Sequence, residues 1–270
     1  MTRNQQPALT LFAAGMIGLG IIALIYGDFA LVWQPVAPWV PGRTALAYAS
    51  GVIMLFGGIG LLFEATVTWS IRILFPYLIL WLLLKAPALF VAPLIEGVWL
   101  GFGELAILMA GGWVLFARLG ATPDGSVLNS IGGENGVRMA RILFALAILP
   151  IGLAHIIYVK ETAALVPPWL PFRTGWAYIT GVGQIACGAG ILLSILPRVA
   201  AMIEAGMISS FALLVWAPAL VTTPKTRFST TAFLISWAIA AGAWVVAFNT
   251  PAKKSVPIAQ TIPSPSKSIA

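Results

Sequence analysis

Two residues of opposite charge stand where charge is costly. Lys85 and Glu104 each interrupt an otherwise apolar stretch of about 20 residues, the length of a membrane-spanning helix. An ionised side chain at such a depth costs roughly 2.5–3.5 kcal/mol on insertion scales. The residues 93–96, Pro-Leu-Ile-Glu, mark a turn between the two stretches. Lys85 lies nine or ten residues before the middle of that turn, and Glu104 as far after it. With a constant rise per residue the two reach similar depth. The spacing predicts an intramembrane ion pair. Two alternatives stand beside it: Lys85 snorkelling outward with Glu104 protonated, or a proton- or ion-coupled site.

A second set of polar residues occurs twice. Pro38-Trp39-Val40-Pro41-Gly42-Arg43-Thr44 returns as Pro168-Trp169-Leu170-Pro171-Phe172-Arg173-Thr174, and Tyr48 returns as Tyr178. The shared string PWxPxRTxxAYxxG is identical at eight of fourteen positions. Two prolines fix the backbone around the Trp, Trp favours the membrane–water interface, and Arg can snorkel or hold an anion. A rigid interfacial corner accounts for these residues, as does a rim for a headgroup, quinone or anionic ligand. His155, about one turn from the outer end of its stretch, is suited to a hydrogen bond, to shuttling a proton or to touching a quinone oxygen. Haem does not fit, because Met139 is a whole span away and no CxxCH is present. One cysteine, Cys187, and one histidine exclude an internal disulfide, a CxxC pair and a multi-His metal site.

These residues sit in a chain of 270 residues that is 60% hydrophobic and 9% charged, against about 25% charged in soluble domains. Eight acids and fifteen bases cannot cover a water-soluble surface of this size. The chain is read as an integral membrane protein whose partner is the lipid bilayer. The net charge of +7 comes from scarce acids and scattered bases, so nucleic acid is set aside. Eight apolar stretches are long enough to span: 8–27, 45–63, 73–92, 98–117, 139–158, 175–196, 199–221 and 229–248. Residues 118–138 form a polar connection, and 249–270 a tail expected to be disordered.

The two halves, 1–117 and 139–248, read as copies. Beyond the PWxP string, Ala86-Pro87-Ala88-Leu89 matches Ala217-Pro218-Ala219-Leu220, and Trp113-Val114 matches Trp244-Val245, both at an offset of 131. Lys85 and Glu104 correspond to Trp216 and Ile235, so the pair is lost together. Four spans per copy give both copies the same orientation, hence a parallel repeat. The expected fold is all-α: eight transmembrane helices as two parallel-repeat four-helix bundles side by side. Nine basic residues on one side (Arg3, Arg72, Arg118, Arg138, Arg141, Arg198, Lys253, Lys254, Lys267) face five on the other (Arg43, Lys160, Arg173, Lys225, Arg227). This places both termini in the cytoplasm and the PWxP loops outside. No cleaved signal peptide is expected. The Gly-x-Gly strings lie inside apolar spans, with no strand or lysine to serve a phosphate, so they read as helix contacts. Cys187 aligns with Gly57 and reads as a packing residue.

Gly152-Leu153-Ala154-His155, Pro167-Pro168-Trp169-Leu170-Pro171, Trp176-Ala177-Tyr178-Ile179-Thr180-Gly181 and Gly188-Ala189-Gly190 together resemble the DoxX-like membrane proteins. Their unit is one four-helix bundle, and this chain resembles two in tandem. The likeness is fullest over 140–196. The first half keeps PWxPxR but has Ala23 for the His. Gln184 stands where the family commonly has Glu, with Met54 at that place in the first half. The resemblance implies an inner-membrane protein with no defined activity of its own, and for some members a subunit linked to sulfur-compound or quinone redox chemistry. With no cysteine pair, haem motif, metal cluster or nucleophile set, the chain reads as a non-enzymatic accessory subunit or small-solute carrier. The alternative is a quinone-linked redox subunit working with a partner oxidoreductase. The candidate rim is then His155, Trp169, Arg173, Tyr178, Gln184, Trp39, Arg43 and Tyr48, and quinone is the cofactor that reading would require.

Overall fold

A computed structural model describes residues 6–121, 130–222 and 226–252. Among them every regular element is helical: α1 (Gln6–Tyr26), α2 (Arg43–Gly60), α3 (Val67–Lys85), α4 (Pro87–Val91), α5 (Glu96–Leu115), α6 (Gly133–Ile157), α7 (Val159–Leu165), α8 (Arg173–Leu192), α9 (Pro197–Phe211), α10 (Ala217–Thr222) and α11 (Arg227–Asn249). Wider π turns, Phe116–Gly120 and Ala212–Trp216, extend α5 and α9. Helix is the expected outcome for such apolar segments, because it satisfies every backbone donor and acceptor within the segment itself. Seven helices are long and apolar enough to cross a membrane, which suggests a multi-pass membrane protein. The eighth long helix, α8, has the length at 20 residues, but Thr174, Tyr178, Thr180, Gln184 and five glycines dilute its apolarity.

The polar connection is shorter than expected. Helix α6 begins at Gly133, so Glu134 and Arg138, expected in the connection, belong to the helix. At that start the Arg118 guanidinium pairs with Glu134 at 2.5 Å. Likewise α3 begins at Val67, ahead of Arg72, whose Nε donates to the Gly120 carbonyl at 2.8 Å. The rest of the connection and the tail beyond residue 252 lie outside the described residues. Both PWxP arginines are the first residues of their helices, preceded by a left-handed residue: Gly42 at φ 66° before α2 and Phe172 at φ 57° before α8. Glycine adopts that conformation freely, whereas Phe172 holds it against its own Cβ.

Packing is dictated by glycine. Helices α1 and α2 cross where Gly20 faces the Gly51 carbonyl and Gly58 faces the Ala13 carbonyl; a Cβ on either would stand 2.8–2.9 Å from that oxygen. Helices α6 and α8 cross in the same way: a Cβ on Gly152 would stand 2.6 Å from the Gly181 carbonyl oxygen, and one on Gly188 2.9 Å from that of Ala145. Helix α5 packs on α6, and α1 on α11. Helices α5 and α11, buried over much of their length, meet each other at the centre. There a Cβ on Gly111 would stand 2.5 Å from the Gly242 Cα. One end of the same contact is closed by Arg118, whose Nε donates to the Asn249 side-chain oxygen at 3.2 Å.

Candidate functional site

The interior of the second set of helices, α6, α8, α9 and α11, carries polar side chains in two layers. In the outer layer His155 Nδ1 lies 2.8 Å from the Thr180 hydroxyl, and the imidazole packs on the Phe211 ring, centroid to centroid 5.3 Å. The Thr180 hydroxyl also lies 2.9 and 3.1 Å from the Trp176 and Ala177 carbonyls. The His155 tautomer decides which of the two side chains donates: an Nδ1–H gives its proton to the hydroxyl and leaves Nε2 as an acceptor, and an Nε2–H does the reverse. Close crossing of α6 and α8 sets this geometry, since a Cβ on Gly181 would meet the His155 Cβ at 3.0 Å.

One turn deeper, Gln184 projects from α8 to Glu204 on α9. Its Nε2 donates to Glu204 Oε1 at 3.2 Å. Both side chains are 0% exposed. Gln184 is the twelfth of the 20 residues of α8, so the pair lies near the middle of the helix. The remaining atoms, Gln184 Oε1 and Glu204 Oε2, are buried with no hydrogen-bond partner.

The first set of helices holds a closed polar group at the outer layer, where Ser50 corresponds to Thr180. Gln34 Nε2 donates to Ser50 at 2.9 Å and to Tyr77 at 2.7 Å, while its Oε1 accepts from the Ala30 N–H at 2.9 Å. The Ser50 and Tyr77 hydroxyls lie 2.7 Å apart. Every hydrogen-bonding atom of the Gln34 side chain is engaged, whereas Gln184 and Glu204 each keep an orphan. Orphans of this kind are uncommon in folded chains and mark places where a group or proton can be accommodated.

The other expected site residues disperse. Trp39 and Trp169 are 82% and 69% exposed, and Arg173 is exposed at the first turn of α8. Tyr178 and Tyr48 are each 46% exposed; Tyr48 closes over Gly27, where a Cβ would stand 2.8 Å from its hydroxyl. Of the proposed rim, only His155 and Gln184 contribute to one interior. Arg43 is instead part of a clamp that the sequence reading missed. Asp28, in the loop after α1, is bridged by Arg43 and, at 2.8 Å, by Arg227 from the start of α11. Arg43 Nε also reaches the Val36 carbonyl, and Arg227 reaches the Phe29 carbonyl at 2.7 Å. Burial pushes the Asp28 carboxyl up, but hydrogen bonds from Arg227, the Phe29 N–H and Arg43 outweigh it and hold the group below its ordinary 3.8.

Lys85 and Glu104 do not form the expected ion pair. The pair is not among the nitrogen–oxygen contacts within 4 Å that the described residues make. Lys85 ends α3, ahead of the Pro87 break. Its ammonium donates to the Val32 carbonyl at 3.1 Å and passes α5 beside Gly101, a turn outward of Glu104. A carbonyl acceptor in the outer loop is closer than the carboxylate. Among the described residues no group of three His, Cys, Asp or Glu side chains could hold a metal ion.

Glu204, Thr180, Asp28 and Arg227 were not singled out from the sequence. Glu204 was legible, because it is an acid inside an apolar stretch and meets the criterion that drew attention to Lys85. Asp28 and Arg227 are 199 residues apart in the chain, and nothing local joins them.

A family model described as Domain of unknown function (DUF8561) matches residues 144–242, the part of the chain that holds His155, Thr180, Gln184 and Glu204. No curated protein and no solved structure matches the chain.

Proposed function

We propose that this chain is a DoxX-like protein of the cytoplasmic (inner) membrane, crossing it eight times as two parallel four-helix repeats, with α8 as the eighth span. Support for the repeat comes from the crossings. Gly20 on Gly51 and Gly152 on Gly181 are related by offsets of 132 and 130, and Ala23 occupies the place of His155. The central contacts Gly111–Gly242 and Arg118–Asn249 each join residues 131 apart, which is what an axis between equivalent α5 and α11 requires. The excess of Lys and Arg at one end supports cytoplasmic termini. In a Cys187→Ser background, a Ser266→Cys probe should react with an impermeant thiol reagent only after cells are opened; reaction from outside would reverse the orientation.

Within that frame the chain is a non-enzymatic small-solute carrier, and the second repeat holds its polar site. The carrying observation is the incompletely paired Gln184–Glu204 group at mid-helix, where ionisable residues ordinarily mark substrate or ion pathways. The first repeat has the apolar Met54 at the position of Gln184, and its polar network is saturated. Osmotic light scattering on proteoliposomes tests the carrier role with glycerol, urea, acetate and ammonium as probes. At least one should permeate faster than through empty liposomes, and Gln184→Leu should slow it at least several-fold. Equal rates for all four probes would overturn the reading. The quinone-linked alternative draws on His155, but Arg173 and Trp169 do not converge on it.

A further inference from the structure

The two unpartnered atoms of the mid-helix pair are both acceptors, and one proton can serve both. Gln184 Nε2 already donates to Glu204 Oε1 at 3.2 Å, and what remains is the amide oxygen of one side chain and the second carboxyl oxygen of the other. A carboxylic acid and a primary amide close a ring of two hydrogen bonds: amide N–H to acid carbonyl, and acid O–H to amide carbonyl. A carboxylate can make only the first, leaving two buried acceptors side by side. One proton on Oε2 satisfies both.

Nothing else at hand supplies that donor. From α8, Gln184 meets Glu204, and Cys187, three residues on, is a buried thiol. From α6 the nearest titratable group is His155, a layer outward and held by Thr180. Helix α11 packs on α9 with Trp244, whose indole N–H is given to Ser209 at 2.9 Å, and carries no titratable side chain after Arg227. On α9 itself the nearest base is Arg198, at the first turn. Among the described residues no cation lies within 4 Å of the Glu204 carboxyl.

We propose that Gln184 and Glu204 form an acid–amide proton site: a proton from water binds Glu204 Oε2 and closes the second hydrogen bond to Gln184 Oε1, and its release reopens that bond. This rests on the carrier reading for its role, the proton being the ion coupled to the solute, but the site itself can be read without any flux.

Infrared spectroscopy of the full chain in lipid nanodiscs, at about pH 7 where exposed Asp and Glu are ionised, reads the site directly. A carboxylic-acid carbonyl band that shifts on deuteration is expected. Glu204→Gln should remove that component while leaving the melting temperature near wild type, because an amide–amide pair keeps the same two-bond ring. Gln184→Leu should move the band to the higher frequency of a free acid. Dicyclohexylcarbodiimide, which adds to protonated carboxyls in apolar surroundings, should label Glu204 of the unmodified chain, as read by peptide mass spectrometry, and less so as pH rises. A spectrum that Glu204→Gln leaves unchanged, or carbodiimide labelling that omits Glu204, would overturn the site. Loss of the band together with probe permeation no faster than empty liposomes would retain the proton site and remove the carrier role.

Discussion

Gly111→Val should cost at least about 3 kcal/mol and prevent normal assembly of the helices, the largest effect expected of any single substitution here. Overpacking a core usually costs about 1–3 kcal/mol because neighbouring side chains give way. At Gly111 the obstacle is the Gly242 backbone, 2.5 Å from the position of the new Cβ, and a backbone in the middle of a second packed helix cannot rotate aside. Gly206→Ala is the matched control. Nothing lies within 4 Å of its Cβ position, and alanine favours helix over glycine by about 1 kcal/mol, so that variant should melt at or above wild type. Thermal unfolding in detergent compares the two, and a Gly111→Val protein with wild-type stability would mean that α5 and α11 do not meet as described.

The second large effect belongs to the arginine clamp. Asp28→Asn leaves Arg43 and Arg227 facing a neutral amide with side chains only 27% and 25% exposed. Orphaning one side of a fully buried pair costs about 3–5 kcal/mol; the partial exposure here lowers the expectation to about 2 kcal/mol. The effect is pH-dependent in a defined sense. Because the folded carboxyl titrates below its ordinary 3.8, the stabilisation is complete above that pH and is lost as pH falls through the lower folded value. The wild-type melting temperature should therefore converge on that of Asp28→Asn in strong acid and exceed it at neutral pH. A constant gap across the range would show that the carboxylate is not what the arginines need.

How far these features were legible depends on whether their cause is local. The apolar stretches announce themselves because each helix must meet lipid or its neighbours with the residues it contains, and all eight stretches fall on helices. Their ends were misplaced where a charge was taken as a boundary. Arg72 and Arg138 lie inside α3 and α6 because a long guanidinium can reach a carbonyl or leave the apolar zone from within a helix. For Lys85 and Glu104 the sequence showed two charges inside apolar stretches but not which way each faces or what competes for it, and the Val32 carbonyl, in a loop with no sequence signature, takes the ammonium. His155 and Gln184 were grouped in one candidate rim with residues that disperse, and only the crossing of α6 with α8 puts these two in successive layers. Glu204 could have been found from the same rule that flagged Lys85; Asp28 could not.

The meeting of Gly111 with Gly242 has an evolutionary reading. On the two-repeat view these are the same position in two copies, and a residue that touches its own counterpart is the signature of an isologous interface. A single four-helix chain with that glycine would present a complementary face to another like itself and pair as a homodimer. Fusing the two copies makes that association intramolecular and independent of concentration. It also ends the obligation of both halves to carry identical interiors. One half could then close its polar network around Gln34 while the other kept Gln184 and Glu204 open, an asymmetry that a symmetric ancestor encoded by a single unit could not have fixed.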